Sequence, residues 1–250
     1  MTSMTRHTLL TLAATALLTS TAAAQFFTPG NAVVLRVGDP AITLGSIAAP
    51  IFLDEWDTNT NTLVQSLAIP NSSTGATPST TQRGYSSSEG CLTLSSDGRY
   101  LILAGYDRAV GATDPGAEPA SSPNRVLVRV DTLTGFIDSS TALTDAYDSS
   151  TFRGATSVDG QSFWMSGNNA NGSIRYATLG ATTSTDISIS PTNMRWIDTY
   201  KGQLYATSAS TGALAQGVME IGAGLPTTPG QTATVLPGFP INGVFSDGAP

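Results

Sequence analysis

The sequence has almost no histidine. His7 is the only one in 250 residues, and it lies near the N-terminus. If the first 24 residues are removed, the remaining chain has no imidazole at all. Such a chain cannot use Ser-His-Asp or Cys-His catalysis, a histidine-liganded zinc ion or a histidine general base. Carboxylates are then the only acid–base groups left for catalysis near neutral pH.

Cysteine and lysine are equally scarce. Cys91 is the only cysteine, so no disulfide can form within the chain. It precedes Leu92 in an apolar run, which favours a small buried side chain over a reactive thiol. Lys201 is the only lysine, the arginines are scattered, and the net charge is −7. The basic patch that nucleic acid requires is absent, so we expect no nucleic-acid partner.

Long apolar runs are also missing, since none reaches the roughly 18 residues of a transmembrane helix. The N-terminus instead combines a basic residue, Arg6, an apolar stretch over 9–18 and an Ala-x-Ala site at 22–24. This pattern is typical of a secretory signal. We predict that residues 1–24 form a helical signal peptide and that 25–250 form the mature domain. Its location would be extracellular or periplasmic, with no membrane span.

What the chain does contain is a succession of short strand-like segments. Residues 32–37, 51–56 and 125–130 are rich in Val, Ile and Leu and are bounded by Gly, Pro, Asn or Asp. These features indicate an all-β fold. The Ser-, Thr-, Gly- and Pro-rich stretches 71–88 and 106–124 are predicted to be long surface loops.

A polar-Gly turn followed by a short apolar strand recurs three times. The turn glycines are Gly98, Gly160 and Gly202, spaced by 62 and 42 residues. The longer interval contains the 106–124 stretch, so the unit has about 40–50 residues, the size of a four-stranded propeller blade. Glycine fits such a hairpin because it accepts a positive φ. The pattern predicts a β-propeller-like array of antiparallel blades, complete or incomplete.

Three phrases carry a family resemblance: SSDGRYLILAGYD, NRVLVRVDTLTG and the N-terminal NAVVLRVGD with FLDEWD and TLVQSLAIP. They resemble secreted bacterial β-propeller proteins over most of residues 30–240. The motifs are structural turns, so the resemblance implies the fold and not an activity. A closed propeller of this type has more blades than the three and a half visible here. The chain is therefore a fragment, an oligomer subunit or a small propeller, and the sequence leaves these alternatives open.

Carboxylates cluster around one tryptophan. Asp54, Glu55 and Asp57 flank Trp56, but in a strand Asp54 and Glu55 face opposite sides. Solvation of a strand end therefore competes with a catalytic role for these acids. The candidate catalytic residues of a carboxylate-dependent enzyme are Asp54, Glu55 and Asp107. This role requires at least two acids to lie close together in the folded chain. The acids whose positions would test it are Asp54, Glu55, Glu89, Asp107, Asp145 and Asp148.

Arginines recur in or beside the predicted strands, at positions 36, 129, 153, 175 and 195. Such arginines either line a channel and bind an anion or pair with a neighbouring acid such as Asp131 or Asp198. The ligand-binding candidates are Arg129, Arg153, Arg175 and Trp56, an aromatic ring suited to sugar stacking. Trp164 and Trp196 lie among apolar residues and are predicted to belong to the core between blades.

One segment matches part of a calcium loop. Asp57, Asn59 and Asn61 reproduce the opening D-x-N-x-N, but Thr62 replaces the glycine and Ala68 replaces the twelfth-position acid. A hairpin turn is the competing interpretation. Calcium is thus the only cofactor that the sequence suggests, and otherwise we expect none.

Two functions remain from the sequence. The first is an extracellular β-propeller-like binding or structural module that recognises a polysaccharide or protein through its loops. The alternative is a secreted carboxylate-dependent hydrolase or lyase acting on a polysaccharide, with or without calcium. The sequence sets neither the ligand nor the oligomeric state.

Overall fold

Seventeen β-strands make up the regular structure of this computed structural model. The structure describes residues 25–75, 77–168, 173–210 and 216–239, and every structural statement below refers to these residues. The predicted signal peptide, residues 1–24, lies outside them. Within these ranges all regular structure is strand, as the all-β prediction requires. No helix there could cross a membrane.

Four antiparallel sheets follow one another along the chain. Sheet 1 consists of β1 (Ala32–Val37), β3 (Ile51–Asp57) and β4 (Thr62–Ala68). Sheet 2 consists of β6 (Thr93–Leu94), β7 (Tyr100–Tyr106), β8 (Arg125–Asp131) and β9 (Ile137–Leu143). Sheet 3 consists of β10 (Phe152–Ser157), β11 (Ser162–Gly167), β12 (Ile174–Thr178) and β13 (Thr185–Ser188). Sheet 4 consists of β14 (Met194–Tyr200), β15 (Gln203–Ala209), β16 (Gln216–Ile221) and β17 (Ala233–Val235). A short pair of strands, β2 (Ala48–Ala49) and β5 (Gln82–Arg83), links two loops.

The three polar-Gly turns occupy the same place in sheets 2, 3 and 4, where each joins the first strand to the second. Gly98, Gly160 and Gly202 have φ values of +74°, +73° and +75°. Glycine adopts this conformation without the steric cost that other residues incur. The prediction that these segments are one hairpin repeated in successive sheets is confirmed.

Side chains of β7 alternate between two cores, as the pleat of a strand requires. Leu101 and Leu103 pack towards sheet 1, whereas Ile102 and Ala104 pack towards sheet 3. A third core around Trp164 lies between sheets 3 and 4, which confirms the prediction for that residue. Strands covered on both faces explain the nearly continuous apolar segments. Face-to-face stacking of antiparallel sheets is the arrangement of propeller blades.

The first strands of sheets 2, 3 and 4, which we call the inner strands (β6, β10 and β14), lie side by side. The Cys91 amide donates to the Arg153 carbonyl at 3.2 Å, and Arg153 Nη1 donates to the Met194 carbonyl at 2.9 Å. The hydroxyls of Ser96 in sheet 2 and Thr199 in sheet 4 are 2.6 Å apart. The array therefore bends enough for sheets two positions apart to touch at its axis.

Two predictions need correction. The stretch 71–88 is not only a surface loop, because residues 79–82 are buried. Thr81 bridges to Tyr106 through backbone hydrogen bonds of 3.0 and 2.9 Å, so hydrogen bonds compensate the burial of this polar segment. Trp196 is not in a core but is 41% exposed. It lies on sheet 4, whose outer face no described sheet covers.

Candidate functional site

Charged side chains gather at the end of the array where the inner strands begin. Arg153 and Arg195 are the second residues of β10 and β14, Glu89 and Cys91 precede β6, and Arg83 ends β5. Electrostatic interactions connect Cys91 with Glu89 and with both inner-strand arginines, and Arg83 forms an ion pair with Glu89. We call these five residues the mouth.

The two inner-strand arginines differ from those at positions 36, 129 and 175, because neither forms an ion pair with a carboxylate among the described residues. Arg153 Nη1 donates to Asn193 Oδ1 at 2.6 Å, while the Nε atoms of both arginines are buried with no hydrogen-bond partner among the described residues. Burial, and secondly the charge of Arg195, lower the pKa of Arg153 to about 10. An anion between these guanidiniums would relieve their repulsion and use their free donors.

Glu89 is a buried carboxyl group, with 2% of its side chain exposed. Its Oε1 accepts a hydrogen bond from the Tyr106 hydroxyl at 3.0 Å and lies 3.5 Å from Arg83 Nη1. Its Oε2 has no hydrogen-bond partner among the described residues. Burial raises the pKa of Glu89 to about 7, although Arg83 opposes the shift. A carboxyl group that titrates near neutral pH is able both to give and to take a proton.

Tyr106 fixes the orientation of Glu89. Its hydroxyl oxygen accepts a hydrogen bond from the Phe152 amide at 3.0 Å. Burial, together with the nearby Glu89 carboxylate, raises the pKa of the Tyr106 phenol well above its ordinary value. The hydroxyl therefore keeps its proton and donates a hydrogen bond to Glu89.

Cys91 has a packing role at the mouth. Burial raises the pKa of its thiol, against the opposing charges of Arg153 and Arg195, so the thiol stays neutral. A Cβ atom at Gly154 would lie 2.8 Å from the Cys91 Cβ, closer than real contacts allow. The inner strands β6 and β10 can approach this closely only because residue 154 is glycine.

The predicted catalytic acids Asp54 and Glu55 face opposite sides of β3, as strand alternation requires. Asp54 Oδ2 accepts from Arg36 Nε at 2.6 Å, and this bond lowers the pKa of Asp54. Glu55 accepts from the Thr28 amide at 2.7 Å and from Gln65 Nε2 at 2.6 Å. Burial would raise the pKa of Glu55, but these bonds hold it below its ordinary value. Both carboxylates thus hold sheet 1 together.

The other candidate acids do not lie together with Asp54 and Glu55. Asp107, Asp145 and Asp148 have separate partners, namely Ser79, Ser184 and the Ala120 amide. Of the six acids whose positions test a catalytic role, only Glu89 belongs to the mouth. No group of three or more His, Cys, Asp or Glu side chains in the described ranges is placed to hold a metal ion.

Most of the strand arginines have structural ion pairs. The pairs are Arg36–Asp54 at 2.6 Å, Arg129–Asp138 at 3.1 Å and Arg175–Asp145 at 3.1 Å. The partners are not the predicted Asp131 and Asp198, because Asp131 pairs with Arg99 and Asp198 accepts from Thr156. Trp56 is exposed near the end of β3. Of the four ligand-binding candidates, only Arg153 lies at the mouth.

The calcium candidates form the hairpin turn between β3 and β4. Asp57 Oδ1 accepts from the Asn59 amide at 2.8 Å and the Thr60 amide at 3.3 Å. Asn61 has a φ of +54°, a conformation that asparagine tolerates. These contacts are those of an Asx turn, in which the carboxylate satisfies backbone amides. Calcium binding by Asp57, Asn59 and Asn61 stays a prediction.

Sequence reasoning missed Arg83 and gave Tyr106 and Glu89 no separate role. Arg83 lies in a stretch that composition marks as a loop, and Tyr106 ends an apolar strand. The one available signal was the position of Glu89, just ahead of an inner strand. Inner strands begin at the same end of successive blades, so residues at that position gather in space.

No family model matches the sequence, and no curated protein matches it. Solved structures that resemble it include an oligogalacturonate lyase in complex with manganese, at 12% identity and a TM-score of 0.40, and an oligogalacturonate lyase from Vibrio parahaemolyticus, at 13% identity and a TM-score of 0.41. The matches cover 69% and 74% of this chain but 46% and 49% of the other chains, so the chain spans about half the length of the structures it matches. At this level of similarity neither the activity nor the metal of those proteins transfers to this chain.

Proposed function

We propose that the mature chain is an extracellular binding module whose mouth binds an anionic ligand, such as the carboxylate groups of an acidic polysaccharide. The observation that carries the proposal is the pair Arg153 and Arg195. These two guanidiniums lie close together, have no carboxylate ion pair in the described residues and each keep a buried Nε donor unused. The extracellular location rests on the predicted signal peptide.

The energetics favour an anion over a neutral ligand. An unpaired buried donor costs about 1–3 kcal/mol, and more when it is charged. A carboxylate presents two oxygens to the planar guanidinium fork and satisfies two donors at once. The three arginines that pair with acids gain nothing comparable from an added anion. An anion therefore binds at the mouth because of the local positive charge there, although the net charge of the whole chain is −7.

Calorimetry with a uronic-acid oligosaccharide tests this proposal. We expect Arg195→Gln to weaken binding by about 10- to 100-fold, the loss of one charged hydrogen bond. Arg99→Gln is the matched control, because Arg99 pairs with Asp131 at the opposite end of the array, and it should bind like the parent chain. The methyl-esterified, neutral oligosaccharide should bind poorly. The proposal would be contradicted if the acidic and neutral oligosaccharides bound equally well. It would also be contradicted if Arg195→Gln bound the acidic oligosaccharide as tightly as the parent chain.

A second candidate is the carboxylate-dependent hydrolase or lyase, which the properties of Glu89 favour. Its pKa of about 7 suits proton transfer at neutral pH, and it interacts with Arg153 in the same mouth. If the chain cleaves an acidic polysaccharide, Glu89→Gln should lower the release of reducing ends by about 100-fold or more. Asp107→Asn should leave it unchanged. A parent chain that binds the polysaccharide but releases no ends between about pH 5 and pH 9 would eliminate this candidate.

A further inference from the structure

Glu89 lies in the same buried mouth as the arginines that would bind the anion. Its Oε1 accepts a hydrogen bond from the Tyr106 hydroxyl, which in turn accepts one from the Phe152 amide. Phe152 directly precedes Arg153 in the chain. The Cys91 amide, two residues after Glu89, donates to the Arg153 carbonyl. These contacts hold the Glu89 carboxyl group beside the start of β10, so its charge acts on the anion site.

The ionisable groups that face Glu89 come from several elements. They are Arg83 of β5, Cys91 ahead of β6, Tyr106 of β7, Arg125 of β8 and Arg153 of β10, and each interacts electrostatically with Glu89. Arg195 of β14 lies one step further and interacts with Cys91 and Arg153.

Most of these groups keep one charge state around neutral pH. The arginines stay positive, and even the lowered pKa of Arg153, at about 10, lies above this range. Burial raises the pKa values of the Cys91 thiol and the Tyr106 phenol, which keeps both groups neutral. Of these described groups, Glu89 is therefore the one that changes charge between about pH 6 and pH 9.

An ionised Glu89 competes with an anionic ligand for the same positive charge. Its carboxylate interacts favourably with Arg83 and Arg153, so it weakens the field that would hold the ligand. Two carboxylates in one buried site also repel each other, and little water is present there to screen the repulsion. A bound ligand carboxylate therefore favours the neutral form of Glu89.

The neutral form of Glu89 is also a hydrogen-bond donor. Its Oε1 already accepts from Tyr106, whereas Oε2 is buried and has no hydrogen-bond partner among the described residues. An added proton therefore resides on Oε2. A protonated carboxyl group donates one hydrogen bond, and a bond from such a hydroxyl to a carboxylate is short and strong. Protonation thus removes a repulsion and adds a donor.

We propose that Glu89 takes up a proton when the mouth binds an anionic sugar, so that binding is tighter in acidic than in alkaline solution. The inference rests on the proposed function of the mouth as an anion site. The proton comes from the solvent and binds to the Glu89 carboxylate, and no other bond forms or breaks. By linkage, the ligand strengthens proton binding to Glu89 by the same factor as the proton strengthens ligand binding.

Calorimetry of the mature chain between about pH 6 and pH 9 tests this coupling. The uronic-acid oligosaccharide stays ionised throughout this range, so a change in affinity arises from the protein. The affinity of the parent chain should fall about tenfold across the range, which is the effect expected of one like charge nearby. Titrations in two buffers of different ionisation enthalpy should show proton uptake on binding. The uptake should be largest just above the pKa of Glu89, which is about 7.

Three variants assign the effect to Glu89. Glu89→Gln should take up no proton, and its affinity should change less than about twofold with pH, because glutamine does not ionise. Asp107→Asn changes an acid outside the mouth and should keep the parental pH dependence. Tyr106→Phe removes a hydrogen bond that lowers the pKa of Glu89, so its affinity profile should move to higher pH. That shift keeps the test valid if Glu89→Gln folds poorly.

The outcomes separate this inference from the proposed function. The proton coupling would be overturned, with the anion site intact, if the parent chain bound the oligosaccharide equally at all pH values. The same conclusion would follow if Glu89→Gln kept the parental proton uptake or if the profile of Tyr106→Phe did not move. Absence of binding at every pH would overturn both the anion site and the coupling.

Discussion

Replacing Phe152 with alanine is expected to lower the free energy of unfolding by about 3–5 kcal/mol. Phe152 is fully buried in the core between sheets 2 and 3, and its ring stacks on Tyr147 at a centroid distance of 5.2 Å. Its backbone amide also donates to the Tyr106 hydroxyl. The truncation would leave a cavity that the neighbouring β-sheets are too rigid to fill.

Urea denaturation monitored by circular dichroism measures this loss. Phe136→Ala is the matched control, because Phe136 is 66% exposed and the same truncation there should cost less than about 0.5 kcal/mol. If the two variants differed by less than about 1 kcal/mol, sheets 2 and 3 would not pack as described.

The second large effect is expected from Glu89→Gln, as a change in the pH dependence of stability. Burial raises the pKa of Glu89 from 4.5 to about 7 in the folded chain. Between these two values the native state binds more protons than the unfolded state, so this group lowers stability as the pH rises from about 4.5 to about 7. The total contribution is about 3 kcal/mol, and above pH 7 it stays constant. Glutamine does not ionise and should remove this slope.

Urea unfolding at several pH values between 4.5 and 8 tests the prediction. The variant should match the parent at the acid end and exceed it at the alkaline end. Asp107→Asn, an acid outside the mouth, should keep the parental slope. A variant with the same slope as the parent would show that Glu89 is not the buried titrating group.

The fold could be predicted because its signals are local. A glycine with positive φ is required in each turn whatever lies around it, so Gly98, Gly160 and Gly202 mark the hairpins in sequence alone. Likewise, a strand covered on both faces favours a nearly continuous apolar sequence, as in β7. The exposure of Trp196 was not predictable, because an apolar neighbourhood in sequence does not reveal which sheet faces lack a neighbour.

The site could be predicted only in part. Arg129 and Arg153 look alike in sequence, each lying in a strand between apolar residues. The structure separates them. Asp138 is next to Arg129 on the neighbouring strand of the same sheet and pairs with it. The guanidinium of Arg153 instead donates to the side-chain oxygen of Asn193 and to the carbonyl of Met194. That difference depends on how the sheets are stacked. Glu89 is similar, since its raised pKa comes from burial by distant residues.

The side-chain NMR signals of the mouth arginines test the central claim most directly. During titration with the uronic-acid oligosaccharide, the Nε–H resonances of Arg153 and Arg195 should shift with one common saturation curve, while that of Arg99 stays in place. Saturated binding that leaves both mouth resonances unmoved would contradict the claim that the mouth binds the anion.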